Sequence, residues 1–428
     1  MKRKVAFKTL GCRLNQYETD AIAWEFSHHG YELVGFDEEA DAYVINTCTV
    51  TNQSDHKSRY EINKAARKKA VLVVTGCMAA SAKESLMARN DITYVVENDR
   101  KRSVFSLLNA HFRGELIHPD DLTKDVFGYP LAGKVFHTRS LVKIQDGCNR
   151  FCTFCIVPYV RGRATSRPAD SIISDIRQLV NNGSREIVIT GVNIGRYRHE
   201  NITFESLVEK ILDLPGNFRL RISSIEPDGF GERFLDLFSH PKLTPYLHLC
   251  LQSGSDTILK RMKRTYTVQQ YMNMVHILRS RYPSFNLTTD IMVGFPGETE
   301  QDFEETCRIA REAAFSHIHT FKFSPRKGTL AEKMNSRVPE ILKNIRSVKI
   351  REISDLNKQI FRKSLIGTTQ EVLIETVAEN RGKGYGEHFV PVQVYMTGLE
   401  NNMLIRTKIS GITQEDEPVL TGEPMKIL

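Results

Sequence analysis

Asp146-Gly147-Cys148-Asn149-Arg150-Phe151-Cys152-Thr153-Phe154-Cys155 follows an apolar run from Ser140 to Ile144 that predicts a β-strand. It spaces its cysteines as C-x3-C-x2-C. Three thiolates suit an iron-sulfur cluster, and a cluster used only for electron transfer closes with a fourth cysteine, so a triplet leaves one iron free to bind a substrate. Zinc also takes thiolates, but its structural sites pair C-x2-C with a second such pair or with histidines, and none follows here. Metal ligands on a loop just past a strand point to an α/β fold.

Downstream, further strands are predicted from Glu186 to Thr190, Arg219 to Ile225, Tyr246 to Leu251, Leu287 to Val293 and His317 to Phe323, with helices between them. Six strands fit an incomplete barrel, and barrels of this kind carry their active sites at the C-terminal ends of the strands. Thr190-Gly191-Val192-Asn193, Ser223-Ser224-Ile225-Glu226, Gln252-Ser253-Gly254-Ser255 and Asp290-Ile291-Met292-Val293-Gly294 all fall there. One polar, glycine-bearing strand end is ordinary turn chemistry. Four in register suit a ribose, a carboxylate and an adenine edge.

Upstream, strands from Val5 to Thr9, Ala42 to Ile45, Val71 to Thr75 and Thr93 to Val96 alternate with helices from Gln16 to His28 and from Asp55 to Lys69, the pattern of a parallel sheet. Cys12, Cys48 and Cys77 each follow one of those strands, at the edge where open parallel sheets bind ligands. Scattered in sequence, they are expected to meet in space. Cys250 and Cys307 lie in apolar segments and read as buried bystanders.

Residues 101 to 137 are aperiodic and read as a connection. A long helix from Val338 to Ser364 carries seven basic residues against three acidic ones, a strut that an RNA could cross. From Ile366 onward short alternating runs, Glu371 to Thr376, Val390 to Met396, Met403 to Ile409 and Met425 to Leu428, predict a small β-barrel. The expected domains are therefore 1–130, 134–364 and 366–428, an α/β chain with a C-terminal all-β module.

The chain has 428 residues and a net charge of +8, which favours an anionic partner, nucleic acid first. The C-terminal module runs the other way, with five basic residues against nine acidic ones. No apolar stretch is long enough to span a bilayer, and the N-terminal apolar run is too short for a signal peptide, so no membrane partner and a cytoplasmic location are expected. In that reducing compartment clustered cysteines read as metal ligands before disulfides.

The C-x3-C-x2-C loop resembles that of the radical S-adenosylmethionine superfamily, in which the open iron chelates S-adenosylmethionine and an electron from the cluster releases a 5'-deoxyadenosyl radical. With the second cysteine triplet and the terminal barrel, the whole chain resembles the methylthiotransferase family. That resemblance implies a partial (β/α)6 radical SAM barrel, two 4Fe-4S clusters held by Cys148, Cys152 and Cys155 and by Cys12, Cys48 and Cys77, and a TRAM-like RNA-binding barrel. It implies cofactor contacts at Phe154, Gly191, Asn193, Ser223, Glu226, Gln252, Ser253, Asp290 and Met292. RNA contacts are expected at Arg161, Arg163, Arg381, Lys383, Tyr385 and Arg406, while Arg13 and Gln16 beside the first cluster, with Arg161 and Arg163 after the radical cluster, are the candidates by proximity for recognising the substrate's modified N6 group. Thr165 stands where the family pattern carries another arginine.

Thr9-Leu10-Gly11-Cys12-Arg13-Leu14-Asn15-Gln16 and His248-Leu249-Cys250-Leu251-Gln252-Ser253-Gly254 are similar to the subgroup that methylthiolates C2 of N6-threonylcarbamoyladenosine at position 37 of tRNA. The implied partners are the tRNA anticodon stem-loop, S-adenosylmethionine and a reductase or ferredoxin-type electron donor. Isopentenyladenosine in tRNA and a ribosomal-protein side chain are the alternative substrates. A non-enzymatic RNA-binding protein with two structural metals is the remaining alternative.

Overall fold

The computed structural model describes residues 2–132, 136–415 and 417–428; the expected start of the central domain at residue 134 lies outside them. The N-terminal region is a five-stranded parallel sheet of β1 (Lys4–Thr9), β2 (Glu32–Val34), β3 (Ala42–Thr47), β4 (Val71–Gly76) and β5 (Tyr94–Val96), in the order β2-β1-β3-β4-β5. All six residues of β3 are buried, as the central strand of a sheet covered on both faces requires. The short β2 is an edge strand whose three residues carry too little pattern to be seen in sequence.

Helix α1 (Arg13–His28) starts directly after Cys12, and α2 (Asn52–Ala66) starts after Thr51, whose side chain caps it in a capping box with Ser54. Both begin three residues earlier than the periodicity indicates; for α2 the Thr51 cap rather than an apolar residue sets the start. The stretch read as a connection contains a helix, Val104–Phe112, whose Val104, Leu107 and Leu108 are fully buried against the sheet. It is part of this core. A nine-residue helix that is apolar on most sides shows no period.

The central region is two arcs of parallel strands. Ser140–Lys143, Glu186–Thr190 and Arg219–Ile222 form one, and Ser224–Ile225, Tyr246–Leu249, Asn286–Val293 and His317–Lys322 form the other. The chain crosses between them at Ser223, so six strand positions curve around one large apolar core and leave a gap between Ser140–Lys143 and His317–Lys322. Helix α1 packs against Ser140–Lys143 on one side of that gap. On the other, Arg326 donates to the Thr49 carbonyl (3.1 Å) in the loop beyond β3 and pairs with Asp55 (2.6 Å) in the first turn of α2.

Helix Glu340–Ser364 packs on the last barrel strand and on helix Glu300–Glu312. Its basic face is not a free stripe for RNA. Arg346 is buried against Glu298 (2.7 Å) and Glu300 (2.9 Å), Lys349 pairs with Glu304 (2.6 Å), Lys343 with Glu340 (3.4 Å) and Lys358 with Asp355 (3.0 Å).

The C-terminal region is a closed barrel of Thr369–Ala378, Arg381–Tyr385, Pro391–Tyr395, Leu420–Ile427 and Leu404–Ile412, in that spatial order. Strand Arg381–Tyr385 escapes the sequence pattern because its inward positions are Gly382 and Gly384. A Cβ on Gly384 would overlap the Leu373 carbonyl, so the close approach of two strands excludes the apolar residues that would mark it. Among the described residues, no helix is long and apolar enough to cross a membrane.

Candidate active site

Cys148, Cys152 and Cys155 lie on the loop after Ser140–Lys143, and three devices fix that loop. Gly147 (φ +66°) passes so close to the next turn that a Cβ would overlap the Arg163 carbonyl, while the Cys148 N–H donates to Gly162 (3.1 Å). Gln145 donates to the carbonyls of Asp146 and Gly147 (2.7 Å each) and accepts from the N–H groups of Val192 (3.0 Å) and Asn193 (2.7 Å), which ties the loop to the second strand end. Arg264, nearly buried, donates to the Cys152 sulfur (3.2 Å) and to the Tyr266 hydroxyl (3.1 Å) and pairs with Glu226. Burial, then the neighbouring Cys152, pushes the Cys155 thiol up to about 12. A thiol so disfavoured as an anion becomes a thiolate when a metal supplies the compensating charge.

The other triplet converges as expected. Cys12 follows β1, Cys48 follows β3 and Cys77 follows β4; Cys48 and Cys77 are buried and Cys12 is exposed. At Gly11 (φ +100°) a Cβ would sit 3.0 Å from the Cys48 sulfur, so only glycine lets the Cys12 loop lie over Cys48. Cys77 packs against Ile156 and Val160, the residues that follow Cys155. Asn98 joins the two sites, donating to the Val160 carbonyl (2.8 Å) and toward the Cys77 sulfur (3.8 Å).

Beneath this wall lies a buried ion network. Glu18 pairs with Lys101 (2.5 Å), Lys143 (2.8 Å) and Arg161 (3.0 Å), and Asp146 pairs with Lys143 (2.5 Å) and Arg161 (3.0 Å). Arg161 also donates to the Asn15 side chain at 2.6 Å. Its side chain is 3% exposed, so the expected RNA contact at Arg161 is corrected: both its faces are taken by the carboxylates that join the sheet domain to the barrel.

A cavity of about 700 Å³ opens inside the arc of strands, lined among others by Cys12, Arg13, Gln16, Gly191, Ser223 and Asp290. Gly191, Ser223 and Asp290 thus meet where the sequence places them. Asp290 is held by His248 (3.3 Å) and by the buried Cys250 (3.8 Å), whose thiol burial keeps protonated. Asn193 lies beside Cys148, and its side-chain oxygen is buried without a hydrogen-bond partner. Gln252 takes a left-handed backbone (φ +68°) between the carbonyl of Asp290 and the N–H of Met292.

Other expected cofactor residues do structural work. Ser253 is fully buried against Thr306 (3.4 Å), Phe154 and Met292 pack into an apolar group around Phe295, and Glu226 is occupied by Arg264. Ser253 is therefore corrected to a packing residue. Among the expected RNA contacts, Arg163 and Arg381 are exposed, Lys383 lies 3.7 Å from Glu415, and Arg406 lies 3.1 Å from Glu371. Tyr385 is corrected as well: its ring stacks on Phe389 (4.9 Å between centres), turned toward the barrel rather than toward an RNA. The sequence reading missed Arg264, Phe389, Arg139 and His319 altogether, and met His248 only inside a motif with no role given to it. They come from separate strands and loops of the central region and from the C-terminal barrel, and no local motif marks Arg139, Arg264, His319 or Phe389.

Both cysteine sets fit four-iron clusters. All six thiols are free, each set stands on loops at strand ends with glycine beside it, and basic side chains lie close enough to offset cluster charge.

Residues 142–310 match the Radical SAM superfamily and residues 4–97 match Uncharacterized protein family UPF0004. The chain is 36% identical to the threonylcarbamoyladenosine tRNA methylthiotransferase MtaB of Bacillus subtilis (strain 168), over 95% of this chain and 93% of that protein. It is also 36% identical to the MtaB of Chlamydia pneumoniae, over 95% of each. A tRNA-2-methylthio-N(6)-dimethylallyladenosine synthase of Burkholderia thailandensis is 32% identical over 88% of this chain and 86% of that protein. The radical S-adenosylmethionine methyltransferase TsrM of Kitasatospora setae shares the fold, with a TM-score of 0.55 at 15% identity over 75% of this chain and 73% of that one. These matches set aside the non-enzymatic alternative. The chain belongs to the radical S-adenosylmethionine tRNA methylthiotransferase family, enzymes whose cofactors are S-adenosylmethionine and two 4Fe-4S clusters.

Proposed function

We propose that this enzyme methylthiolates C2 of N6-threonylcarbamoyladenosine at position 37 of tRNA, in the cytoplasm, with Cys148, Cys152 and Cys155 holding the radical cluster and Cys12, Cys48 and Cys77 the auxiliary one. One observation carries the reading: Cys12 and the strand-end residues Gly191, Ser223 and Asp290 line a single cavity. Its volume of about 700 Å³ is in the usual range for ligand sites. When bound, the cofactors would supply a 5'-deoxyadenosyl radical, sulfur and a methyl group.

The protein's part is to hold the base between them and exclude water. An anticodon-loop base is unstacked at low cost, which suits a cavity reached from solvent. Arg163 and Arg381, exposed and free of ion pairs among the described residues, are the phosphate contacts of this reading. Each cleavage of S-adenosylmethionine consumes one electron, drawn from a reductase or ferredoxin-type donor. Preference for the threonylcarbamoyl substrate follows the two MtaB relatives, which match more closely than the dimethylallyladenosine synthase.

Mass spectrometry of tRNA nucleosides tests the substrate: deleting the gene removes 2-methylthio-N6-threonylcarbamoyladenosine, and restoring it brings the nucleoside back. An unchanged level on deletion refutes the proposal. Anaerobically reconstituted protein should hold about eight irons, from two four-iron clusters. Gly11→Ala, which drives a Cβ into Cys48, should lower this to about four by emptying the auxiliary site alone; retention of all the iron would separate the Cys12 loop from that cluster.

A further inference from the structure

The cavity's basic side chains are matched by carboxylates except Arg13 and His319, and His319 lies 3.3 Å from His317 with its pKa lowered by burial. Arg139 pairs with Glu375 (2.6 Å), His137 with Asp20 (2.9 Å) and His248 with Asp290 (3.3 Å). Arg13 has no carboxylate within ion-pair distance among the described residues. It lines the cavity next to Cys12, half-buried, with its guanidinium carbon 5.1 Å from the centre of the Phe389 ring. A guanidinium partly withdrawn from water without a counter-ion is costly, and a bound anion removes that cost.

Phe389 is itself placed with effort. It belongs to the C-terminal barrel and takes φ +58°, a left-handed conformation that a non-glycine residue holds only where its surroundings impose it. Its loop is clamped to the N-terminal ends of the barrel strands. Arg221 donates to the carbonyls of Glu387 (3.1 Å) and Gly386 (3.3 Å), and Asn286 donates to that of His388 (2.6 Å). Phe389 then touches Tyr246, Arg221 and Tyr385 as well as Arg13. The C-terminal barrel thus supplies an aromatic face over which the Arg13 guanidinium lies.

We propose that Arg13, oriented by Phe389, binds the free carboxylate of the threonylcarbamoyl group and is the residue that separates this substrate from an adenosine bearing an apolar N6 substituent. The inference rests on the substrate reading above. A planar guanidinium matches a carboxylate through two parallel hydrogen bonds, which lysine cannot reproduce. The position beside Cys12 puts the contact in the same chamber as the auxiliary cysteine site.

The test uses the reconstituted holoenzyme and two synthetic anticodon stem-loops, one carrying threonylcarbamoyladenosine and one its methyl ester. For the wild type the ester is expected to raise KM about tenfold to a hundredfold with kcat nearly unchanged, the effect of losing a hydrogen bond to a charged group. Arg13→Gln raises KM for the acid by a similar factor and no longer distinguishes acid from ester. Arg13→Lys recovers part of the discrimination. A wild type indifferent to the ester overturns the inference whatever the variants do, and so does an Arg13→Gln enzyme that still prefers the acid to the wild-type extent. A phosphate contact at Arg13 would weaken both stem-loops equally in Arg13→Gln and leave the ester effect intact, which also overturns it. A wild type that modifies neither stem-loop refutes the substrate reading, and the inference falls with it.

Discussion

Replacing Cys148, Cys152 and Cys155 together with alanine is expected to reduce formation of 5'-deoxyadenosine from S-adenosylmethionine to background, with no methylthiolated product. The same change at Cys12, Cys48 and Cys77 is expected to leave 5'-deoxyadenosine formation in place and remove the product. The two triplets stand on different domains, one at the end of a barrel strand and one across three strands of the N-terminal sheet. Their thiols come from separate loops that meet at the wall of Cys77, Ile156 and Val160 and at Asn98, so emptying one need not dismantle the other. Quantifying 5'-deoxyadenosine and iron in the two triple variants decides the matter. Loss of 5'-deoxyadenosine from the N-terminal variant while its iron stays at about four would show that the triplets do not divide the chemistry in this way.

The largest stability effect is expected at Glu18. It is fully buried and pairs with Lys101, Lys143 and Arg161, while Asp146 is the only other carboxylate of the network. Glu18→Gln keeps the shape and removes the charge, leaving three buried cations against one carboxylate. Breaking a buried ionic group in this manner typically costs about 3–5 kcal/mol. Denaturant unfolding of the variant and the wild type measures it, and a difference below about 1 kcal/mol, the level of an exposed pair, refutes the assignment.

The same residue gives the stability a pH dependence. Burial alone pushes the Glu18 carboxyl up, but Arg161, Lys101 and Lys143 outweigh it and hold the carboxyl well below the usual range. A carboxyl whose folded pKa is depressed contributes stability that is complete above its unfolded value, about 4.3, and is lost as the pH falls through the folded value. Wild-type stability should therefore fall on acidification below about pH 4, and Glu18→Gln should show a flatter acid limb. Equal acid limbs would place the proton uptake elsewhere.

Regular elements were legible where a period or a run of apolar residues was long enough. The barrel strands, β1, β3 and β4, and the C-x3-C-x2-C loop are of this kind, because each is specified by neighbours in the chain. Strand Arg381–Tyr385 was not, since its inward positions are glycines that exist to let another strand approach. Helix Val104–Phe112 was not, since nine mostly apolar residues carry no face.

The site divides in the same way. The cysteines, Gly191, Ser223 and Asp290 are tied to strand ends and could be placed by counting. By itself, then, the sequence determined the two cysteine triplets, the sheet edges that present them and the class of chemistry they support, because ligand type and spacing are local properties. Only the tertiary structure decided that Arg161 is buried between carboxylates, that Tyr385 and Phe389 turn inward, and that Arg13 lines the cavity with no carboxylate partner among the described residues. Those outcomes turn on Arg161 meeting Glu18, Phe389 meeting Tyr246 and Arg13 meeting Phe389, each across more than a hundred residues, and no local pattern encodes such a meeting.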